Sequence, residues 1–347
     1  MEPVTEITAV SAQSSVIDRA LCVAPMMDWS DRHYRHFVRL IAPRTLLYSE
    51  MIVAEALLRG DPARLLRYSS VEHPVALQLG GNDPVRLAAA ARLGEQFGYD
   101  EINLNVGCPS DRVQSATFGA CLMADPQRVA AGVFAMRQAV QIPVTVKCRI
   151  GIDDQDEYEF LLRFVETVAA AGCQVFIVHA RKAILAGLTP RQNRDIPPLR
   201  YDVVYRLKSE RPDLTIVMNG GIRTLEDAQL HQGRVDGVMI GREAYHNPYI
   251  LAALEGALLP AGGAVALPPA ALIAAIRGYV EAELRAGSRL HSMSRHLLGL
   301  YAHRPGARSF RRVLSEFATR PGVGFEVLEA AVRAAEGASR SSGNLVT

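Results

Sequence analysis

Cysteine is scarce and scattered in this chain of 347 residues: there are five, Cys22, Cys108, Cys121, Cys148 and Cys173, with no C-x-x-C pair. An odd, widely spaced set argues against a disulfide framework, a zinc ribbon and a cysteine-ligated iron–sulfur cluster, and suits a reducing cytoplasm. No histidines and carboxylates share metal-ligand spacing, so no metal is expected. The lack of a G-x-S-x-G elbow and of a P-loop removes the corresponding hydrolases and NTPases. Long hydrophobic runs are also missing. The longest uncharged stretch, 256–276, is broken by Pro260, Pro268, Pro269 and several glycines, so it reads as a linker and not as a membrane helix. The first twenty residues carry Glu2 and Glu6 and lack a basic flank with an apolar core, so no secretory signal is expected. Net charge is small, at +2, but unevenly divided: residues 268–347 hold eleven Lys+Arg against six Asp+Glu. A basic end on a slightly acidic body points to a polyanionic partner, with a solvated helical face as the plainer alternative.

What is present is a chain 49% hydrophobic and 21% charged, as expected of a folded protein. Eight short apolar runs, each ending in polar or glycine residues, occupy 21–27, 45–51, 74–81, 101–109, 143–151, 174–181, 215–222 and 237–245. Apolar on both faces, they read as buried parallel strands. Helical periodicity lies between them, as in 84–97, 127–139 and 157–171. Asp83-Pro84 and Asp125-Pro126 place a capping acid before a first-turn proline, and Thr224 with Asp227 reads as a capping box. Eight strand–helix units at this length predict a closed α/β architecture, the (β/α)8 TIM barrel, over an open doubly wound sheet. Beyond the linker, 269–286, 290–301, 308–318 and 324–337 show apolar spacing of three and four residues, which predicts a helical bundle. The expected organisation is an N-terminal extension (1–19), a barrel (20–258), a linker (259–268), an all-helical domain (269–338) and a flexible tail (339–347).

In such a barrel the active site lies where the strands end. Those ends supply Pro25-Met26-Met27, Glu50, Gln78, Asn103/Asn105/Cys108, Lys147/Arg149, His179/Arg181, Asn219-Gly220-Gly221 and Gly241-Arg242. Glycines after strands seven and eight let backbone amides reach an anion and Arg242 adds a bidentate charge, so a phosphate is expected there; turn glycines and a surface arginine are the alternative. Only Lys147, Lys182 and Lys208 are lysine among 38 basic residues. A lysine kept inside an apolar strand implies a need for a compact ammonium, facing a reduced flavin or a carbonyl, unless it snorkels to solvent. His179 is either a core histidine or a mouth residue beside Lys147. Gln78 both donates and accepts, which suits a pyrimidine-like edge. Cys108, between Gly107 and Pro109, is expected to face the mouth, with Cys121 as its competitor; Cys22, Cys148 and Cys173 read as small buried residues.

The segments APMMDWSDRH, YSEM, ALQLGG, EINLNVGCPS, VTVKCRIG, VFIVHARKA, MNGGI and GVMIGREAYHNP resemble the tRNA-dihydrouridine synthases, most of all their A-type branch. So do HARKAILAGLTPRQNRDIPPLR and PGARSFRRVLSE. The resemblance implies an FMN in the barrel mouth, NADPH as its reductant, and a D-loop uridine of tRNA, at positions 20 and 20a, as substrate. It assigns flavin contacts to Pro25, Met26, Met27, Gln78, Lys147 and His179, and phosphate contacts to Asn219, Gly220, Gly221, Gly241 and Arg242. Cys108 becomes the proton donor, Asn105 faces the target uracil, and Arg191, Arg194, Arg308 and Arg311 contact tRNA. Such a reduction places a hydride on C6 and a proton on C5 of the base; flavins deliver the first, and an ordinary thiol, mostly protonated at neutral pH, can deliver the second. The base must be everted, and phosphate contacts offset that cost, which gives a role to Arg304, Arg308, Arg311 and Arg312. The alternatives are a flavin-dependent barrel acting on a free pyrimidine or other small molecule, a non-catalytic tRNA-binding protein, and a phosphate-binding lyase. A monomer is expected.

Overall fold

The computed structural model describes residues 17–115, 117–259 and 265–343; most of the expected N-terminal extension, the middle of the linker and residues 344–347 lie outside these. Eight strands form a closed parallel barrel in sequence order: β1 (Leu21–Val23), β2 (Leu46–Val53), β3 (Val75–Gly80), β4 (Glu101–Val106), β5 (Val144–Arg149), β6 (Val175–His179), β7 (Thr215–Asn219) and β8 (Gly237–Ile240). β8 pairs back onto β1, so no edge is left open. Every residue of β3 and β4 is buried, the signature of a strand covered on both faces. The helices between them start where the caps predict. The Asp83 carboxylate accepts from the backbone N–H groups of Val85 and Arg86 at 2.9 and 3.1 Å, opening helix Pro84–Gln96. Thr224 and Asp227 form the reciprocal box that opens helix Leu225–Gln229.

Cys22, Leu46, Tyr48, Ile177, Val217 and Met239 help fill the barrel interior, and a much larger core joins the outer strand faces to the helices. Strand register then aligns the chemistry: Asn105 lies opposite Lys147, and His179 lies opposite both Arg149 and Asn219, all near the C-terminal ends.

A second core lies among helices Pro269–Ala275, Arg277–Arg285, Leu290–Ser294, Ala307–Phe317 and Glu326–Gly343. The structure departs from the expected spans in three places. The 269–286 helix is interrupted at Ile276, and 290–301 shortens to Leu290–Ser294 followed by a tight 3-10 turn, Arg295–Leu297. The last helix continues to Gly343, past the start of the expected flexible tail. Phe37 and Ile41, from the segment after β1, are buried in this second core. Glu283 receives Arg32 and Arg67 at 2.7 Å each, and Asp31 receives Arg295 at 2.8 Å, so the two cores are joined by both apolar and ionic contacts. Among the described residues no helix is long and apolar enough to cross a membrane, and no group of His, Cys, Asp and Glu is placed to hold a metal ion.

Candidate active site

A cavity of about 710 Å³ opens at the C-terminal end of the barrel, within the range of small-molecule and cofactor sites. It takes in every residue expected to touch the flavin, together with Cys108, Asn105 and Arg194. Arg191, Arg308 and Arg311 lie outside it, exposed on the surface.

The wall built by β3, β4 and β5 is polar. Gln78 and Asn105 are buried side by side: the Asn105 Nδ2 donates to Gln78 Oε1 at 2.9 Å, and Gln78 Nε2 donates to Asn103 Oδ1 at 2.8 Å. Asn105 Oδ1 accepts the backbone N–H groups of Gly107 and Cys108 at 3.1 and 3.0 Å. The turn carrying Cys108 is held from the other side too. Arg149 Nε donates to the Gly107 carbonyl at 2.9 Å, and Ala120 N–H donates to the Cys108 carbonyl at 2.9 Å. Gly119, at φ +76°, packs so closely on that carbonyl that a Cβ would clash. The Cys108 thiol lines the cavity, with Ser110 Oγ at 3.6 Å. Cys121 is turned elsewhere: its Sγ donates to the Phe118 carbonyl at 3.1 Å, and burial pushes its thiol up. Cys22, Cys148 and Cys173 are fully buried, and desolvation raises all three, Cys148 and Cys173 to about 12.

From β5 toward β7, Lys147 Nζ donates to Asn219 Oδ1 at 3.0 Å, and Asn219 Nδ2 donates to the Met239 carbonyl at 2.8 Å. Burial first, and the neighbouring Arg149 second, lower the Lys147 ammonium to about 8. The same two causes, with Lys147 added, push His179 well below its ordinary value, so its imidazole is neutral. Arg149 falls to about 10 through desolvation. Gly220 and Gly221, at φ +112° and +76°, follow β7 in conformations that favour glycine. A Cβ on Gly220 would meet the His179 ring at 2.6 Å, whereas a Cβ on Gly241 would meet open space. Arg242 is paired with Asp195 at 2.8 Å, which holds that carboxyl below its usual range.

Several lining residues escaped the sequence reading. Trp29 stacks on Tyr245 with centroids 4.5 Å apart and meets His246 edge-on. As the sole tryptophan, two residues past the first apolar run, it carried a usable signal. Arg149 stood in the inventory of strand ends without a role; its guanidinium also reaches the carbonyls of Lys182 and Asn193 at 3.0 Å, which ties the loops after β4 and β6 together. Met51 reaches the cavity because β2 shifts register between Tyr48 and Met51.

Known proteins match this chain along most of its length. The dihydrouridine synthase family model covers residues 22–336. A protein of Shewanella oneidensis named tRNA-dihydrouridine(20/20a) synthase is 55% identical over 325 residues, 93% of this chain and 96% of its own. Proteins of the same name from Escherichia coli K12 and Vibrio cholerae are 55% and 54% identical, over 90% of this chain and 90% and 95% of theirs. With the barrel closed in sequence order and the family's motif residues gathered around one cavity, the chain belongs to the dihydrouridine synthase family.

Proposed function

We propose that this protein is a tRNA-dihydrouridine(20/20a) synthase that holds FMN as its flavin, takes its reducing equivalents from NADPH and acts in the cytoplasm as a monomer. The observation that carries the reading is one cavity shared by a thiol, a half-buried ammonium and a glycine-rich wall. The residues fit a flavin. Lys147 Nζ has one hydrogen-bond partner among the described residues and so keeps donors for a ring carbonyl. Gly220 and Gly221 turn the chain after β7 through positive φ under His179, Leu199 and Tyr201, and Gly241 leaves open space beside its backbone, where a phosphate would rest within reach of Arg242. Gln78 retains one N–H and one lone pair for a pyrimidine edge. When bound and reduced, the flavin supplies the two electrons and one hydrogen that saturation of the uracil C5–C6 bond requires at C6.

The protein's own task is the second hydrogen. Cys108 gives its S–H proton to C5 as the new C–H bond forms, and the electron pair of the S–H bond stays on sulfur. Lys147 and Arg149 both lie within electrostatic reach of Cys108 and stabilise the thiolate until solvent reprotonates it. Asn105 offers its remaining N–H to a base carbonyl. Arg191, Arg194, Arg308 and Arg311 hold the tRNA backbone and so offset base eversion. One chain supplies the whole lining, so no second copy is needed. Mapping dihydrouridine in tRNA from a strain lacking the protein tests this: positions 20 and 20a should revert to uridine. Dihydrouridine retained there, or a purified protein that reduces free uridine as fast as tRNA, overturns it.

A further inference from the structure

The polar wall at the mouth is the upper end of a hydrogen-bonded line that starts at the barrel floor. Glu101, the first residue of β4, sits fully buried with four donors on its two oxygens. Arg19 Nε and Nη2 reach Oε2 at 3.1 and 2.5 Å, while the Tyr48 hydroxyl and Thr145 Oγ1 reach Oε1 at 2.8 and 2.6 Å. A carboxyl group met only by donors, two of them on an arginine, is a carboxylate.

That fixes the sense of every bond above it. Thr145 has one hydrogen, spent on Glu101, so toward Asn103 it can only accept; Asn103 Nδ2 donates to it at 2.9 Å. Asn103 must then turn its oxygen to Gln78, Gln78 its oxygen to Asn105, and Asn105 its oxygen to the Gly107 and Cys108 amides. None of the three amides of the line could flip without setting donor against donor in a buried site. Two backbone amides occupy the Asn105 oxygen, so what Asn105 has left for the cavity is an N–H.

We propose that Glu101 and Thr145 are positioning residues: the floor carboxylate, acting through Thr145, Asn103 and Gln78, enforces from below the same Asn105 orientation that the Gly107 and Cys108 amides require from above, and so holds fixed both the donor that Asn105 presents to substrate and the seat of Cys108. The consequence is chemical selection. An obligate donor at Asn105 suits the carbonyl of uracil and opposes the amino group that cytosine carries at the same ring position. The inference rests on the proposed dihydrouridine synthase activity.

Thr145→Val removes the link while keeping size and leaving Glu101 with Arg19 and Tyr48. Thr145→Ser restores it, and Tyr48→Phe takes an equal hydrogen bond from the same carboxylate but lies off the line. With each protein purified in its flavin-bound form, the measurements are flavin content, kcat and KM for uridine-containing tRNA, and the rate at which iodoacetamide alkylates Cys108. Thr145→Val should lower kcat roughly tenfold, the equivalent of one lost orientational hydrogen bond, with KM and flavin content unchanged and the alkylation rate altered. Thr145→Ser and Tyr48→Phe should match the parent protein. If Thr145→Val keeps the parent kcat and alkylation rate, or if Tyr48→Phe loses as much, the line sets nothing. If Thr145→Val fails to fold, Asn103→Leu, which can neither donate to Thr145 nor accept from Gln78, must show the same kcat loss or the proposal falls. A parent protein inactive on tRNA would instead sink the functional reading beneath it.

Discussion

Lys147→Met tests whether a charge is kept inside the barrel at the expense of stability. In the flavin-free protein, a fall from 10.5 to about 8 corresponds to about 3 kcal/mol against the buried ammonium. The hydrogen bond to Asn219 returns about 1 kcal/mol of that. Methionine has a similar length and no charge, so the variant should be more stable than the parent by about 2 kcal/mol at neutral pH. The pH dependence gives the sharper test. Below about 8 the lysine is protonated in both the folded and the unfolded chain, and the penalty is constant. Between about 8 and 10.5 the folded state sheds its proton while the unfolded state keeps it, so the parent gains stability as pH rises and the gap to the variant closes. Urea unfolding of both flavin-free proteins across this window reads the gap directly. A variant no more stable than the parent at neutral pH, or a gap that ignores pH, would refute the reasoning. On the proposed function, the flavin-loaded variant should meanwhile lose most of its turnover in dihydrouridine formation, because the positive charge proposed to face the cofactor is gone.

Cys108→Ala should leave flavin reduction by NADPH intact, followed as bleaching of flavin absorbance, and lower dihydrouridine formation by about 10²-fold or more; Cys121→Ala, whose thiol faces Phe118, should retain normal turnover. Arg308→Glu combined with Arg311→Glu, at exposed positions that make no ion pair among the described residues, should weaken tRNA binding and flatten the dependence of log affinity on log salt by about two. Filter binding at several salt concentrations checks this, and an unchanged slope would exclude those arginines from the interface. Deleting the chain beyond residue 260 is a poorer experiment, because it would expose Phe37 and Ile41.

The strands were legible because a β-strand covered on both faces must be apolar at nearly every position, and eight such runs stand out against their polar endings. The mouth residues were legible for a related reason: once a barrel is inferred, strand ends converge by topology alone. The helical end was harder. Residues 290–301 have helical spacing, yet Gly299 packs so tightly on the carbonyls of Tyr245 and His246 that any Cβ would clash, and Arg295 is drawn to Asp31; these contacts tighten the chain there into a turn. Glu101 and Thr145 gave no signal at all. A glutamate at the start of a strand reads as solvent-facing, and only the register that sets Asn103 beside Thr145 and Ala76 beside Glu101 turns it inward.

Phe37 and Ile41 have one more consequence. Because a segment of the barrel is plugged into the neighbouring helices, and ionic clasps at Glu283 and Asp31 reinforce the junction, the two halves are not free to swing like jaws. On the proposed function, the spacing from the arginines of helix Ala307–Phe317 to the Cys108 thiol is then a fixed gauge. The nucleic acid does the bending, and a nucleotide is selected by how far it stands from the point of grip.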